Sequence, residues 1–246
     1  MVKIRDKAAE KHGRRFGNYL RTVLALLFAW GKERGYLTEN PAKSIKGIRK
    51  PNGAPAANRP WADDERSAVE AALPAHMRLP VALMMYCALD PQDALRLPRT
   101  AISEGKIDAK RGNTGEGTLL PIPAPVIEAL TSAPKHDAIT FCANSYGRPW
   151  TVSGFRASWR PIRQKLEREG HVRPGLTLTG LRHTVATILR EMGHDTRTIA
   201  DMLAQKTIAM AEHYSHRANK TQKLTPVVES FDAEVNRRRT KLVKPA

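Results

Sequence analysis

The sequence is short of cysteine, of acidic residues and of long apolar runs, and each shortage excludes a class of protein. Its two cysteines, Cys87 and Cys142, lie far apart and outside any metal-ligand spacing. Reduced thiols are expected, not a disulfide framework or a zinc module. No apolar run reaches the ~18 residues of a membrane span. The opening MVKIRDKAAEKHGRR is charged but has no apolar h-region, which argues against a signal peptide. No internal repeat is present and no His/Cys cluster suggests a metal. The expectation is a cytoplasmic protein with no metal or cofactor and no small-molecule substrate.

The scarcity of acid is the most informative of these. The 246 residues hold 24 Asp and Glu against 41 Lys and Arg, a net charge of +17. Such self-repulsion does nothing for folding, so an anionic partner is implied. Nucleic acid, an anionic membrane surface and an acidic protein all satisfy this, and nucleic acid is favoured. The charge is concentrated: residues 1–60 carry 14 basic and 4 acidic side chains, +10 of the +17. A gripping segment fits that distribution better than a uniformly solvated surface.

The chain reads as a short helical module (1–41), a basic linker (42–60), a larger domain (61–226) and a basic tail (227–246). In the first, Phe16, Tyr19, Leu20, Val23, Leu24, Leu27 and Trp30 recur at helical spacing over residues 16–34. This stripe is expected to be core, with Gly35 closing the helix. Val2–Lys11 reads as a second, shorter helix. The linker is broken by Pro, Gly and Ala, and Lys43, Lys46, Arg49 and Lys50 suit either a solvated tether or a strap along phosphates.

In the larger domain, Asp63 or Asp64 is expected to cap a helix through Leu73. An apolar helix is expected over Leu79–Leu89. Ile107, Ala109, Leu119, Leu120 and Ile122 around Gly112-Asn113-Thr114-Gly115 predict a β-hairpin over Lys106–Ile122. Further helices are expected at Val126–Leu130, Ser153–Arg168, Leu181–Met192, Thr196–Leu203 and Thr207–Tyr214, and one in the tail from Thr221. The fold class is mainly α with a small β-sheet (α+β).

One ordered set of motifs goes further. Leu181-Arg182-His183-Thr184-Val185-Ala186-Thr187, then Gly193, Ile199 to Leu203, Lys206-Thr207-Ile208 and Tyr214-Ser215-His216 resemble the catalytic half of the tyrosine recombinases, the phage-integrase family. Leu83–Leu97 resembles the family's first arginine box and Gly105–Ile122 its lysine hairpin. Phe16–Pro41, with Glu39-Asn40-Pro41-Ala42, resembles the last long helix of its core-binding domain. The resemblance implies an integrase-like fold, preceded by a core-binding module shortened by roughly two helices.

It also implies a chemistry. In this family a tyrosine attacks a backbone phosphate to form a 3′-phosphotyrosyl link without metal or cofactor, and the modules clamp duplex DNA. Two arginines, a lysine and two His or His/Trp positions meet the developing charge. Arginine suits this because its charged fork matches phosphate oxygens. By resemblance the nucleophile falls on Tyr214 and the second arginine on Arg182. The first arginine falls on Asp90, the lysine on Asn113, and the two remaining positions on Thr179 and Gln205. Four of these six positions are changed. Asp90 places a negative charge where a phosphate would sit, and each missing donor typically removes about 10²–10³ in rate.

Some substitutes are conceivable. Arg111 shares hairpin parity with Asn113, whereas His183 is expected to point away from the site. The bland alternatives are a packed Tyr214 and a buried Arg182 paired with Asp201 or another acid.

The expected function is a double-stranded DNA-binding protein of the integrase family, inactive or strongly impaired in cleavage. Arg14, Arg15, Lys43, Lys46, Arg49, Lys50 and Arg111 are its expected phosphate contacts. A regulatory or architectural role, tied to a mobile element and to the nucleoid, would follow. Two alternatives stay open. One is a divergent but active recombinase. The other is a homo- or hetero-oligomer partner of an active recombinase, joined through the tail.

Overall fold

The computed structural model describes the chain except residues 52, 54–57, 111, 113–114, 116, 217 and 243–246. It divides into two compact units, Met1–Ala56 and Ala57–Ala246.

The first unit is a helical hairpin of α1 (Val2–His12) and α2 (Arg14–Glu33). The two cross closely at Gly17, where an added Cβ would stand 2.6 Å from the Ala9 Cβ and 2.8 Å from the Arg5 carbonyl oxygen. Gly35, at φ +76°, ends α2 as the sequence suggests. Residues 42–48 run back along α2. Asn18 brackets Ile48, accepting its N–H at 2.7 Å and donating to its carbonyl at 3.1 Å. Arg14 donates to the same carbonyl and Arg21 to that of Ile45.

The apolar stripe of α2 is not core. Phe16, Tyr19, Val23, Leu27 and Trp30 are exposed, Tyr19 by 68%, and Leu26 joins them. Only Leu20 and Leu24, on the side toward Gly17, are half-buried. Helical periodicity identifies an apolar face but not what covers it, and within this unit α1 and residues 42–48 occupy the opposite side of α2.

The second unit is mostly helical with one small sheet, as the composition and periodicity predict. It contains α3 (Asp63–Ala72), α4 (Ala75–Tyr86) and α5 (Pro91–Arg96), a 3₁₀ turn at Arg99–Ala101, and strands β1 (Ile102–Ser103), β2 (Lys106–Lys110) and β3 (Gly117–Pro121). After these come α6 (Ala124–Thr131), α7 (Val152–Arg168), α8 (Gly180–Glu191), α9 (Thr196–Met202), α10 (Ile208–Ser215) and α11 (Thr221–Leu242). The sheet is antiparallel in the order β1-β2-β3, with Ile107 opposite Leu120. That register turns Ile107 and Leu120 into the core and leaves Leu119 63% exposed on the opposite face.

α4 is the centre of the domain. Met77, Leu79 and every residue from Pro80 to Met85 are buried, and α6 and α8 pack against it. It stops at Tyr86, earlier than expected, because Ala88 is left-handed at φ +51°. Trp61 stacks on Trp159 of α7 at 5.7 Å, and its indole N–H donates to the Thr177 carbonyl at 2.9 Å.

The start of α3 corrects another expectation. Neither Asp63 nor Asp64 is the N-cap; Ala62 is, and Glu65 reaches back to accept its N–H at 2.9 Å. Asp63 and Asp64 instead lie in the first turn, where the helix dipole favours them. Glu65 is only 1% exposed. It accepts a bidentate pair from Arg59, at 2.6 and 2.7 Å, and the backbone N–H of Arg173 at 2.9 Å. Burial alone would raise its pKa, but Arg59, the Ala62 N–H and Arg173 together hold the carboxyl at about 2.

The same segment limits α8. A Cβ at Gly180 would lie 2.5 Å from the Arg59 carbonyl oxygen and 3.0 Å from the Trp61 indole nitrogen. Gly180→Ala is therefore expected to destabilise by about 1–3 kcal/mol, the usual penalty of overpacking. Chemical denaturation would measure it, and an unchanged midpoint would contradict this reading of the crossing.

Candidate functional site

The site is built where α8 and α10 meet the chain turns after α4 and α9. α8 is buried without interruption from Gly180 to Ala186, so Arg182 enters the interior although it is charged. It is 2% exposed. One terminal nitrogen donates to the Ala88 carbonyl at 2.7 Å and the other to the Leu203 carbonyl. Both acceptors sit at irregular backbone: Ala88 is itself left-handed, and Leu203 precedes left-handed Ala204 at φ +46°. A planar fork with fixed donors suits two divergent carbonyls of this kind.

Asp90 stands beside this fork. Its carboxylate is 3.9 Å from the Arg182 Nη1. The acid near Arg182 is therefore Asp90, whereas Asp201 pairs with Arg197 at 3.1 Å within α9. Asp90 is also the residue before α5, so a proline-started helix begins where the carboxylate sits. Three residues on, Asp93 accepts the N–H of Gly112 at 3.1 Å and pins the hairpin turn to α5. The neighbouring Arg111 and Asn113 lie outside the described residues.

Tyr214 comes from α10, which packs across α8. Its ring lies 5.2 Å from the guanidinium carbon of Arg182 and 4.6 Å from the ring of His183. His183 thus does not point away from the site. It is 100° around α8 from Arg182, but α10 covers both directions. Tyr214 is half-buried against a small apolar cluster of Ala88, Val185, Ala186, Ile199, Ala200, Leu203 and Ala211. His213 and His216 are exposed, with rings 5.9 Å apart.

The remaining family positions are placed nearby by chain continuity. Thr179 directly precedes α8, and its carbonyl accepts the Arg182 N–H at 3.2 Å. Gln205 follows Ala204, and its N–H returns to the Ala200 carbonyl at 2.8 Å. It lines an open cleft of about 490 Å³ between β3 and α9, together with Arg197, Asp201 and Lys206. Among the described residues, no group of three or more His, Cys, Asp or Glu side chains is arranged to hold a metal.

The expected phosphate contacts of the first unit are divided. Arg15, Lys43, Lys46, Arg49 and Lys50 are exposed, whereas Arg14 is half-buried and gives a donor to Ile48. Sequence reasoning missed a further basic surface on α7. Phe155, Trp159 and Leu166 face inward, and Arg156, Arg160 and Arg163 follow one another at i, i+4 and i+7 on an adjacent face. Arg156 and Arg160 are exposed, while Arg163 lies 3.6 Å from Glu167. That spacing was available in the sequence. The Arg59–Glu65–Arg173 cluster was not, since its members are up to 114 positions apart.

Comparison with known proteins bears on the family and the fold. The family model described as the phage integrase family matches residues 66–221. The tyrosine recombinase XerC of Listeria monocytogenes is 34% identical over 90 residues, 36% of this chain and 28% of that protein. The tyrosine recombinase XerD of Halalkalibacterium halodurans is 33% identical over 87 residues, 35% of this chain and 27% of that protein. These matches span little more than a quarter of the relatives' length. Among solved structures, a lambda integrase dimer bound to a COC′ core site superposes with a TM-score of 0.71 at 15% identity, covering 87% of this chain and 77% of that one. The Tn1549 transposon integrase in complex with circular intermediate DNA gives 0.69 at 13% identity, covering 92% and 84%. With the fold, the order of the motifs and the family model in agreement, the chain belongs to the phage integrase family of tyrosine recombinases.

Proposed function

We propose that this chain binds double-stranded DNA and that its strand-cleaving chemistry is lost or strongly impaired. One observation carries the reading: Asp90, at the position of the family's first arginine, stands 3.9 Å from a second arginine that is 2% exposed and donates to two backbone carbonyls. A phosphate placed there would meet a carboxylate, and Arg182 is 2% exposed with a donor of each terminal nitrogen already on a backbone carbonyl. Electrostatic stabilisation of the transition state requires donors already aimed at the developing charge. The net charge of +17, the exposed cations of the first unit and the stripe on α7 support the binding half of the proposal. A regulatory or architectural role on DNA, in the cytoplasm and linked to a mobile element, is the setting this fits.

A suicide duplex tests both halves. The expected result is salt-dependent binding without a covalent adduct, under conditions where an active recombinase forms one. Arg156→Ala with Arg160→Ala is expected to lower the salt slope by about 0.9 for each phosphate that is no longer neutralised. An adduct that vanishes in Tyr214→Phe would overturn the inactive reading.

That outcome would establish the second reading, a divergent recombinase. It draws on Tyr214 lying within reach of both Arg182 and His183. A third reading, association with a second copy or with an active recombinase, draws on α11, where Leu224, Val227, Val228 and Phe231 are all exposed. Co-purification abolished by deleting α11 would favour it.

A further inference from the structure

Tyr146 is 86% exposed, at the tip of a turn that is otherwise tightly built. The Asn144 side-chain oxygen accepts the N–H groups of Tyr146 at 2.9 Å and Arg148 at 3.1 Å. The Asn144 backbone N–H donates to the Arg148 carbonyl at 2.8 Å, and Gly147 takes the left-handed conformation at φ +70° that the turn requires. Ala143 pairs with Pro149 as an antiparallel bridge. The base is fixed as well. Cys142 and Ala143 are buried, and Arg99 binds the preceding loop through the carbonyls of His136 and Ala138.

A lone exposed aromatic is ordinary on a protein surface. This one differs because its backbone is already ordered, so covering it costs little further entropy. Its surroundings name the partner's charge. Residues 138–166 contain five Lys or Arg and no Asp or Glu. Arg148 in the turn is exposed, as are Lys135 and Asp137 before it. The turn leads directly into α7, whose N-cap Thr151 and basic stripe follow within a few residues. A flat amphipathic ring on a stretch of chain rich in cations suits a sugar-phosphate backbone: the ring packs on the apolar deoxyribose face and the hydroxyl donates to a phosphate oxygen.

We infer that the Ala143–Pro149 turn is a duplex-DNA contact in which Tyr146 packs on the sugar-phosphate backbone beside the basic face of α7. The inference rests on the DNA-binding reading above and adds a neutral, salt-independent contact to it.

The test separates the two. Cys87 and Cys142 are buried, so Tyr146→Cys introduces an accessible thiol that can carry an iron–EDTA chelate. Bound to a mixed-sequence duplex and activated with ascorbate and peroxide, the labelled protein is expected to cut the DNA locally. Tyr146→Ala is expected to weaken binding about five- to tenfold, with the salt slope and the melting temperature unchanged. Arg148→Ala should instead lower the slope by about 0.9. If the wild-type chain binds the duplex, the chelate cuts nothing and Tyr146→Ala binds as tightly as wild type, the inference is overturned while DNA binding stands. If the wild-type chain does not bind duplex at all, both fail. Preference for polyglutamate over duplex, abolished in Tyr146→Ala, would assign the turn to an acidic protein and overturn the DNA contact.

Discussion

Replacing Arg182 by alanine is expected to lower the melting temperature by about 10 °C. The side chain is buried and both terminal nitrogens are engaged, on the carbonyls of Ala88 and Leu203. Each buried carbonyl left without a donor costs about 1–3 kcal/mol. The guanidinium also no longer packs on the Tyr214 ring, and Asp90 no longer faces a cation. A combined loss of about 3–5 kcal/mol corresponds to this shift for a domain of this size, at about 2–4 °C per kcal/mol. Lysine should restore only part of it, because one ammonium cannot span two divergent carbonyls in place of a fork. A loss below about 1 kcal/mol would contradict this account. It would return Arg182 to the role the family resemblance gives it, a donor held free for phosphate.

Glu65→Gln is expected to have an effect of similar size, for a different reason. The amide keeps the shape but removes the charge that faces Arg59 and Arg173, and it turns an NH₂ group toward existing donors. Breaking a buried pair from one side typically costs about 3–5 kcal/mol. The pH dependence provides an internal control. The folded carboxyl titrates at about 2, below its ordinary 4.5. Its contribution is therefore complete above about pH 4.5 and is lost as the pH falls toward 2. Glu65→Gln has no such group to protonate. Urea midpoints of the two proteins should differ widely at about pH 7 and draw together at about pH 3. A gap that stays constant with pH would mean that the carboxylate charge is not what stabilises the cluster.

Both predictions concern groups that hold the segment 59–65 and the turns around α8 in place, and both bear on function. The family resemblance assigns Arg182, on α8, to a catalytic arginine. In this structure Arg182 is buried and bonded to the carbonyls of Ala88 and Leu203. The impairment proposed above therefore rests on the setting of Arg182 as well as on Asp90.

The local pattern of the sequence determined much of this protein. Apolar recurrence at helical spacing placed α2, α7, α8 and α9 within a few residues of where they lie, and a change to period two with a Gly-rich turn placed the β2–β3 hairpin. Gly35 closes α2 because only a left-handed residue can end the helix that way. Those features depend on neighbours three or four positions apart, which a sequence displays directly. The ordered motifs from Leu181 to Tyr214 also carried the family.

Tertiary structure decided what those elements meet. The stripe from Phe16 to Trp30 has the period of a core helix and yet is exposed, because α1 and residues 42–48 lie on the other side of α2. Asp90 and Arg182 are 92 positions apart, and Arg59 and Arg173, 114 positions apart, converge on one carboxylate. No periodicity encodes such meetings. They follow from which faces the buried α4 and α8 offer once the core has closed, and that closure is set by the packing of the whole domain.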